Sequence, residues 1–215
     1  MTTLEQTLAE FRESVTTNMP KEALATLNAA IDRLVSSGIA EQALKEGDTF
    51  PSFTLNNAGG EPVHSADLLA RGPVIVTFYR GGWCPYCNLE LRAYQQLLPQ
   101  IEAAGGQLVA VSPELPDESL SVQEKNDLAF DVLSDSGNQL ARQLGLVFTF
   151  DEQLRALYDQ FQIDLSVKNG DDSWSLPMPA TYVVDRQSRI ALADVSADYT
   201  RRLEPARALS ALSAL

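Results

Sequence analysis

The segment Pro73-Val-Ile-Val-Thr-Phe-Tyr79 constrains the fold more than any other stretch of this chain. It is an unbroken, largely β-branched apolar run without polar alternation, the pattern of a strand covered on both faces. Arg80-Gly-Gly-Trp-Cys-Pro-Tyr-Cys87 follows directly. Residues 85–104 then repeat apolar side chains at helical spacing (Leu89, Leu91, Leu97, Leu98, Ile101), with Pro99 expected to kink the helix. Gly105-Gly106 stops it, and Gln107–Ser112 is a second strand of the same buried type. Residues 73–112 therefore read as a β-α-β unit with a right-handed crossover.

The same alternation continues on both sides. Residues 4–44 show two helical patterns, carried by Leu4, Leu8, Phe11 and Val15 and by Leu24, Leu27, Ile31, Leu34 and Val35. Pro20 suits the start of the second helix and Gly38 its end. Ser52–Leu55 is a short strand, residues 57–62 a turn, and Asp67–Leu69 the opening of a short helix. Beyond the central unit, helices are expected at Asp117–Leu128, Gly137–Leu144, 151–163 and Leu203–Leu212. Asp131–Leu133 is a strand, Lys168–Ser175 a polar loop, and Thr181–Val184 with Arg189–Asp194 a hairpin. The outcome is an α/β domain over residues 45–215, three-layer α/β/α with a mixed central sheet. An N-terminal helical extension over 1–44 packs on it or forms a homodimer contact.

Charge narrows the function. Lys and Arg number 16 and Asp and Glu 29, a net charge of −13, with no basic cluster. Such a surface repels phosphate backbones and anionic lipid, so neither nucleic acid nor membrane is an expected partner. No apolar run nears the ~18 residues of a membrane span. The polar, acidic start MTTLEQTLAEFRESV does not read as a secretory signal, which makes the cytoplasm the expected compartment.

The chain has two cysteines, Cys84 and Cys87, and one histidine, His64. A closed metal site needs four ligands, so no metal and no cofactor are expected. Residues three apart on a helix have Cα atoms about 5 Å from each other, within disulfide range. Cys84 would sit at the helix end, where unpaired N–H groups and the dipole favour an anion, which makes it the nucleophile and Cys87 the resolving thiol. Lowering a thiol pKa by ~2 units takes ~2.7 kcal/mol. A helix end supplies ~0.3–1 kcal/mol, rarely ~2. A second source is needed: hydrogen bonds from Cys87 and the backbone, or the charge of Arg80. Tyr79 reads as core, while Trp83 and Tyr86 lie near enough to shape access. Glu114, His64 and Asp171-Asp172 read as solvated loop or turn residues.

At this point the chain resembles a known family. Val76-Thr-Phe-Tyr-Arg-Gly-Gly-Trp-Cys-Pro-Tyr-Cys87 is similar to the active-site loop of thioredoxin-fold proteins. Gly47-Asp-Thr-Phe-Pro51, Leu108-Val-Ala-Val-Ser-Pro113 and Pro179-Ala-Thr-Tyr-Val-Val-Asp185, in this order and spacing, resemble the peroxiredoxin-like alkyl hydroperoxide reductase/thiol-specific antioxidant (AhpC/TSA) group over about residues 45–195. The resemblance implies a thioredoxin-like fold and a cis bond at Met178–Pro179 that opens a backbone edge for substrate, with Pro177 as the competing proline. Thr77, Gly81 and Pro179 occupy positions where peroxiredoxins carry Pro, Thr and Arg. Arg80 is the candidate substitute for the peroxide-holding groups.

Two activities follow. In a thiol-dependent peroxidase, Cys84 reduces hydrogen peroxide or an organic hydroperoxide, becomes a sulfenic acid and is resolved by Cys87, then recycled by thioredoxin, glutaredoxin or glutathione. In a general thiol–disulfide oxidoreductase, the same pair acts on protein disulfides. In both, Arg80, Trp83 and Pro179 support the substrate. A binding module with a vestigial dithiol is the remaining alternative.

Overall fold

The computed structural model describes residues 2–215. Helices α1 (Leu4–Asn18) and α2 (Lys21–Ser36) come first. Thr3 and Gln6 cap α1 reciprocally, Pro20 is the N-cap of α2, and Gly38 follows it at φ +70°, a conformation that favours glycine. Strands β1 (Thr54–Asn57) and β2 (Pro62–His64) lead to α3 (Ser65–Arg71), β3 (Val74–Phe78), α4 (Pro85–Ala103) and β4 (Gln107–Ser112). Then come α5 (Pro116–Lys125), β5 (Asp131–Ser134), α6 (Gln139–Gln143), β6 (Val147–Thr149), α7 (Glu152–Gln160), α8 (Leu165–Asn169) and β7 (Ser175–Pro177). Strands β8 (Ala180–Val184) and β9 (Ile190–Val195) and helix α9 (Pro205–Ser213) close the chain.

Seven strands form one mixed sheet in the order β2-β1-β5-β4-β3-β8-β9. The pairs β3–β4 and β4–β5 are parallel, and the remaining pairs antiparallel. β3 lies inside the sheet, and all five of its residues are buried. Ile75, with Tyr79 just beyond the strand, packs among Leu8, Leu91 and Leu212 of α1, α4 and α9. Val74, Val76 and Phe78 pack on the opposite side with Leu68 of α3 and Leu140 of α6. The uninterrupted apolar run is thus explained by two hydrophobic layers, each such side chain contributing ~1.5–3 kcal/mol over exposure. β6 and β7 form a separate ribbon. A third cluster joins Leu27 of α2 to Leu154, Leu157 and Tyr158 of α7 and Leu176 of β7.

Several local expectations are corrected. The turn expected at 57–62 is present, as the 58–61 loop of the β1–β2 hairpin, while His64 lies at the end of β2 instead of in a turn, exposed, with Nδ1 2.9 Å from Thr54 Oγ1. The helix expected from Gly137 begins at Gln139, because Gly137 and Asn138 have φ of +74° and +57°. The polar loop at 168–175 shrinks, since its start belongs to α8 and its end to β7. α4 spans Pro85–Ala103 with Pro99 inside it. Among the described residues there is no cis peptide bond, so Met178–Pro179 is trans. The chain crosses from ribbon to sheet there without a tight turn. Met178 N–H donates to the Leu146 carbonyl at 2.8 Å, and the Pro179 carbonyl accepts from Ser196 N–H at 3.0 Å. The edge expected for substrate at Pro179 is therefore already used. No helix among the described residues is long and apolar enough to cross a membrane.

Candidate active site

β3 delivers the chain to Arg80, and α4 begins four residues later with Cys84 as N-cap and Pro85 at its first position. Gly81 and Gly82 make this turn possible. A Cβ on Gly81 would lie 2.3 Å from Trp83 Nε1, and one on Gly82 2.3 Å from Val122 Cγ2. Gly82 N–H donates to Glu114 Oε2 at 2.8 Å. Asn88 Nδ2 donates to the carbonyls of Gly82 at 2.8 Å and Cys84 at 3.1 Å, and Asn126 Nδ2 donates to Asn88 Oδ1 at 2.8 Å. These bonds fix the turn from both sides.

Both cysteines are free thiols and both are buried, Cys84 at 1% exposure and Cys87 at 0%. Arg80, the candidate charge source for Cys84, is itself only 2% exposed. Its Nη1 lies 4.0 Å from Cys84 Sγ, and its Nη2 donates to the Tyr158 hydroxyl. The guanidinium stacks 4.0 Å from the centre of the Tyr199 ring and 4.9 Å from that of Trp83. Trp83 and Arg80 are thus brought together beside Cys84, while Pro179 directly precedes β8, whose Ala180 pairs with Phe78 of β3.

Burial pushes the Cys84 thiol up, but the Cys87 thiol hydrogen bond and the charges of Arg80 and Arg202 outweigh it and bring the group down to about 6. Cys87 moves the other way, held well above its ordinary value by burial and by the adjacent Cys84 sulfur. The two sulfurs are therefore pushed in opposite directions, Cys84 toward the thiolate and Cys87 toward the thiol.

Four participants escaped the sequence reading. Tyr158 and Tyr199 wall the Arg80 guanidinium, Arg202 Nη2 reaches Cys87 Sγ at 3.3 Å, and Glu90 Oε2 accepts from Arg202 Nε at 2.6 Å. Glu90 alone left a signal, a charged residue three positions after Cys87 on the buried face of α4. Glu114 is corrected from solvated to buried, and burial raises its carboxyl to about 7 despite the Gly82 N–H. Among the described residues no cluster of three or more His, Cys, Asp or Glu could hold a metal.

Beside Cys84 opens an apolar cleft of about 270 Å³, lined among others by Phe11, Leu24 and Ile31 from α1 and α2 and by Tyr86 and Phe161. Phe11 and Tyr86 meet edge to face at 4.9 Å.

A dithiol at the first turn of the helix after an inner strand, in a three-layer mixed sheet, defines a protein of the thioredoxin-like fold. The model of the AhpC/TSA family matches residues 47–193, and the chain belongs to that family. Among curated relatives, peroxiredoxin Q of Sedum lineare is 30% identical over 101 residues, 47% of this chain and 54% of the relative. Peroxiredoxin Bcp of Escherichia coli K12 is 30% identical over 103 residues, 48% of this chain and 65% of the relative. The matches thus span between half and two thirds of these relatives. Among solved structures, peroxidoxin BcpB of Mycobacterium tuberculosis shares the fold at TM-score 0.63 and 22% identity, over 80% of this chain and 98% of that one. Peroxiredoxin Q of Xanthomonas campestris does so at TM-score 0.59 and 20% identity, over 80% and 98%.

Proposed function

We propose that the protein is a thiol-dependent peroxidase in which Cys84 is the peroxidatic and Cys87 the resolving cysteine. One observation carries this: the buried Cys84 sulfur sits at the N-cap of a helix, 4.0 Å from Arg80 Nη1 and one helical turn before Cys87, a placement that favours the thiolate. The thiolate attacks the terminal oxygen of a hydroperoxide, the O–O bond breaks, and the alkoxide takes a proton and leaves as alcohol or water. Cys84 becomes a sulfenic acid, which Cys87 converts to the disulfide with loss of water. Arg80 steadies the charge that moves onto the departing oxygen, and Trp83, Tyr158 and Tyr199 hold Arg80.

The cleft suits an organic hydroperoxide better than hydrogen peroxide, because its walls offer apolar area that only an alkyl chain can bury. We read residues 1–44 as an extension that shapes this entry. Thioredoxin, glutaredoxin or glutathione recycles the disulfide, which places the protein in a reducing compartment such as the cytoplasm. The trans Met178–Pro179 bond and the occupied Pro179 carbonyl remove a support for the disulfide-reductase alternative.

The test is a single turnover. Reduced protein mixed with one equivalent of cumene hydroperoxide or hydrogen peroxide should lose both thiols far faster than free cysteine does, with the organic substrate preferred. Cys84→Ser should abolish the reaction, and Cys87→Ser should stop it at the sulfenic acid. A rate equal to that of free cysteine, with rapid reduction of insulin disulfides, would transfer the assignment to protein-disulfide chemistry.

A further inference from the structure

Each sulfur of the pair has an arginine against it: Arg80 meets Cys84, while Arg202, whose charge also helps lower Cys84, meets Cys87. Arg202 lies in the segment between β9 and α9, with a side chain 1% exposed. Its Nε donates to Glu90 Oε2 at 2.6 Å, itself 2% exposed, and its Nη1 donates to the carbonyls of Tyr199 and, at 2.8 Å, Arg201. Nη2 is left to face Cys87 Sγ at 3.3 Å. Burying an arginine is costly unless its partners are in place before the reaction. Here they are, and the donor toward sulfur is the one with a reacting atom in front of it.

We propose that Arg202 is a catalytic residue of the second half-reaction: it carries the negative charge of the Cys87 sulfur when that sulfur closes the disulfide and again when it is expelled during reduction. The closing step balances internally. The Cys87 thiol releases its proton, its sulfur lone pair forms the S–S bond to Cys84, and the S–O bond of the sulfenic acid breaks. The departing hydroxide takes that proton and leaves as water. On reduction, an external thiolate attacks Cys84 and the S–S electron pair leaves on Cys87.

The arrangement also imposes an order. While Cys84 is a thiolate, burial and the adjacent Cys84 sulfur together keep the proton on Cys87, against the pull of Arg202. Oxidation of Cys84 to the neutral sulfenic acid removes the second of these and leaves both guanidiniums acting against burial alone. The resolving sulfur is thus activated only after there is something to resolve.

The sulfenic-acid part of this rests on the peroxidase reading, whereas the disulfide part does not. Arg202→Lys, Arg202→Met and the double variant Arg202→Met/Glu90→Gln, which avoids stranding the carboxylate, are compared with wild type at pH 8. Trp83 fluorescence after stopped-flow mixing with cumene hydroperoxide should show the first, second-order phase within threefold of wild type. The second, first-order phase should be at least tenfold slower, with the Lys variant intermediate. Sulfinic acid at Cys84, read by mass spectrometry, should accumulate at lower peroxide. Reduction of the preformed disulfide by glutathione should be at least tenfold slower in the variants, because the sulfur expelled on Cys87 has lost its donor. Unchanged resolution and unchanged reduction rates in variants that melt as wild type does would overturn the proposal. If wild-type Cys84 reacts no faster than free cysteine, the peroxidase reading fails, and the rate of disulfide reduction alone decides the role of Arg202. If the Met variant does not fold, the Lys variant decides, since it keeps the charge and loses the fork that reaches sulfur and Glu90 together.

Discussion

At Cys84, opposing effects of similar size decide the chemistry. Burial disfavours the thiolate, while the Cys87 thiol and two arginines favour it and win. With the group near 6, about nine tenths is ionised at pH 7. Arg80→Met should move the midpoint of the iodoacetamide rate–pH profile up by one to two units and lower the rate at pH 7 about two- to tenfold. An unmoved midpoint would assign the shift to Cys87 and Arg202. Cys84, Cys87 and Arg80 were legible because their relationship is local, one helical turn and one loop. Arg202, Tyr158 and Tyr199 were not, because a charged or phenolic side chain is buried only when a distant segment supplies its partners. Glu114 was misjudged for the same reason: nothing adjacent in sequence announces the Gly82 N–H that it accepts.

Among the elements, α1 and α4 offer separate tests. Leu8 of α1 is 2% exposed and shares a core with Leu91 and Ile75. Leu8→Ala should cost about 2–5 kcal/mol in urea unfolding. It should also reduce the preference for organic hydroperoxides, since α1 carries Phe11 into the cleft. Pro99 is exposed inside α4, where it withholds one backbone donor. Pro99→Ala should raise stability by about 1–3 kcal/mol without altering turnover, measured by thermal melting and single-turnover rate. The long elements were readable from periodicity: β3 and β4 from apolar runs, α1, α2 and α4 from three- and four-residue steps. The three-residue β6 and β7 and the five-residue α8 were not. At that length no period repeats, and pairing across the ribbon (Phe148 opposite Leu176) decides the structure.

Across the whole molecule, pH acts through three groups of opposite sign. Glu90 and Glu114 are raised from an ordinary value near 4.5 to about 7, by burial in each case. Their folded state holds protons that the unfolded chain has released, so their stabilisation is complete below about 4.5 and is lost as pH rises through about 7. Cys84 is lowered, so its contribution is complete above about 9 and is lost as pH falls through about 6. In a Cys84→Ser background the urea midpoint should therefore fall between pH 5 and pH 8. Adding Glu114→Gln should flatten that decline, and an undiminished slope would exclude Glu114 as its source. The three-layer architecture was legible from the order of strands and helices, since doubly covered strands admit few alternatives. The way α1 folds back against the far end of the chain was not, because no local pattern encodes a pairing across most of its length.

That clasp has a consequence for how the protein is born. Glu204 Oε1 and Oε2 accept from the N–H groups of Leu4 and Glu5 at 3.3 and 3.2 Å, and Arg202 meets Cys87 across 115 residues of sequence. A ribosome adding about 5–20 residues per second exposes the two sulfurs roughly ten seconds before their guardian arginine exists. For that interval the nascent polypeptide carries an unshielded, untuned dithiol, open to adventitious cross-linking by any passing disulfide.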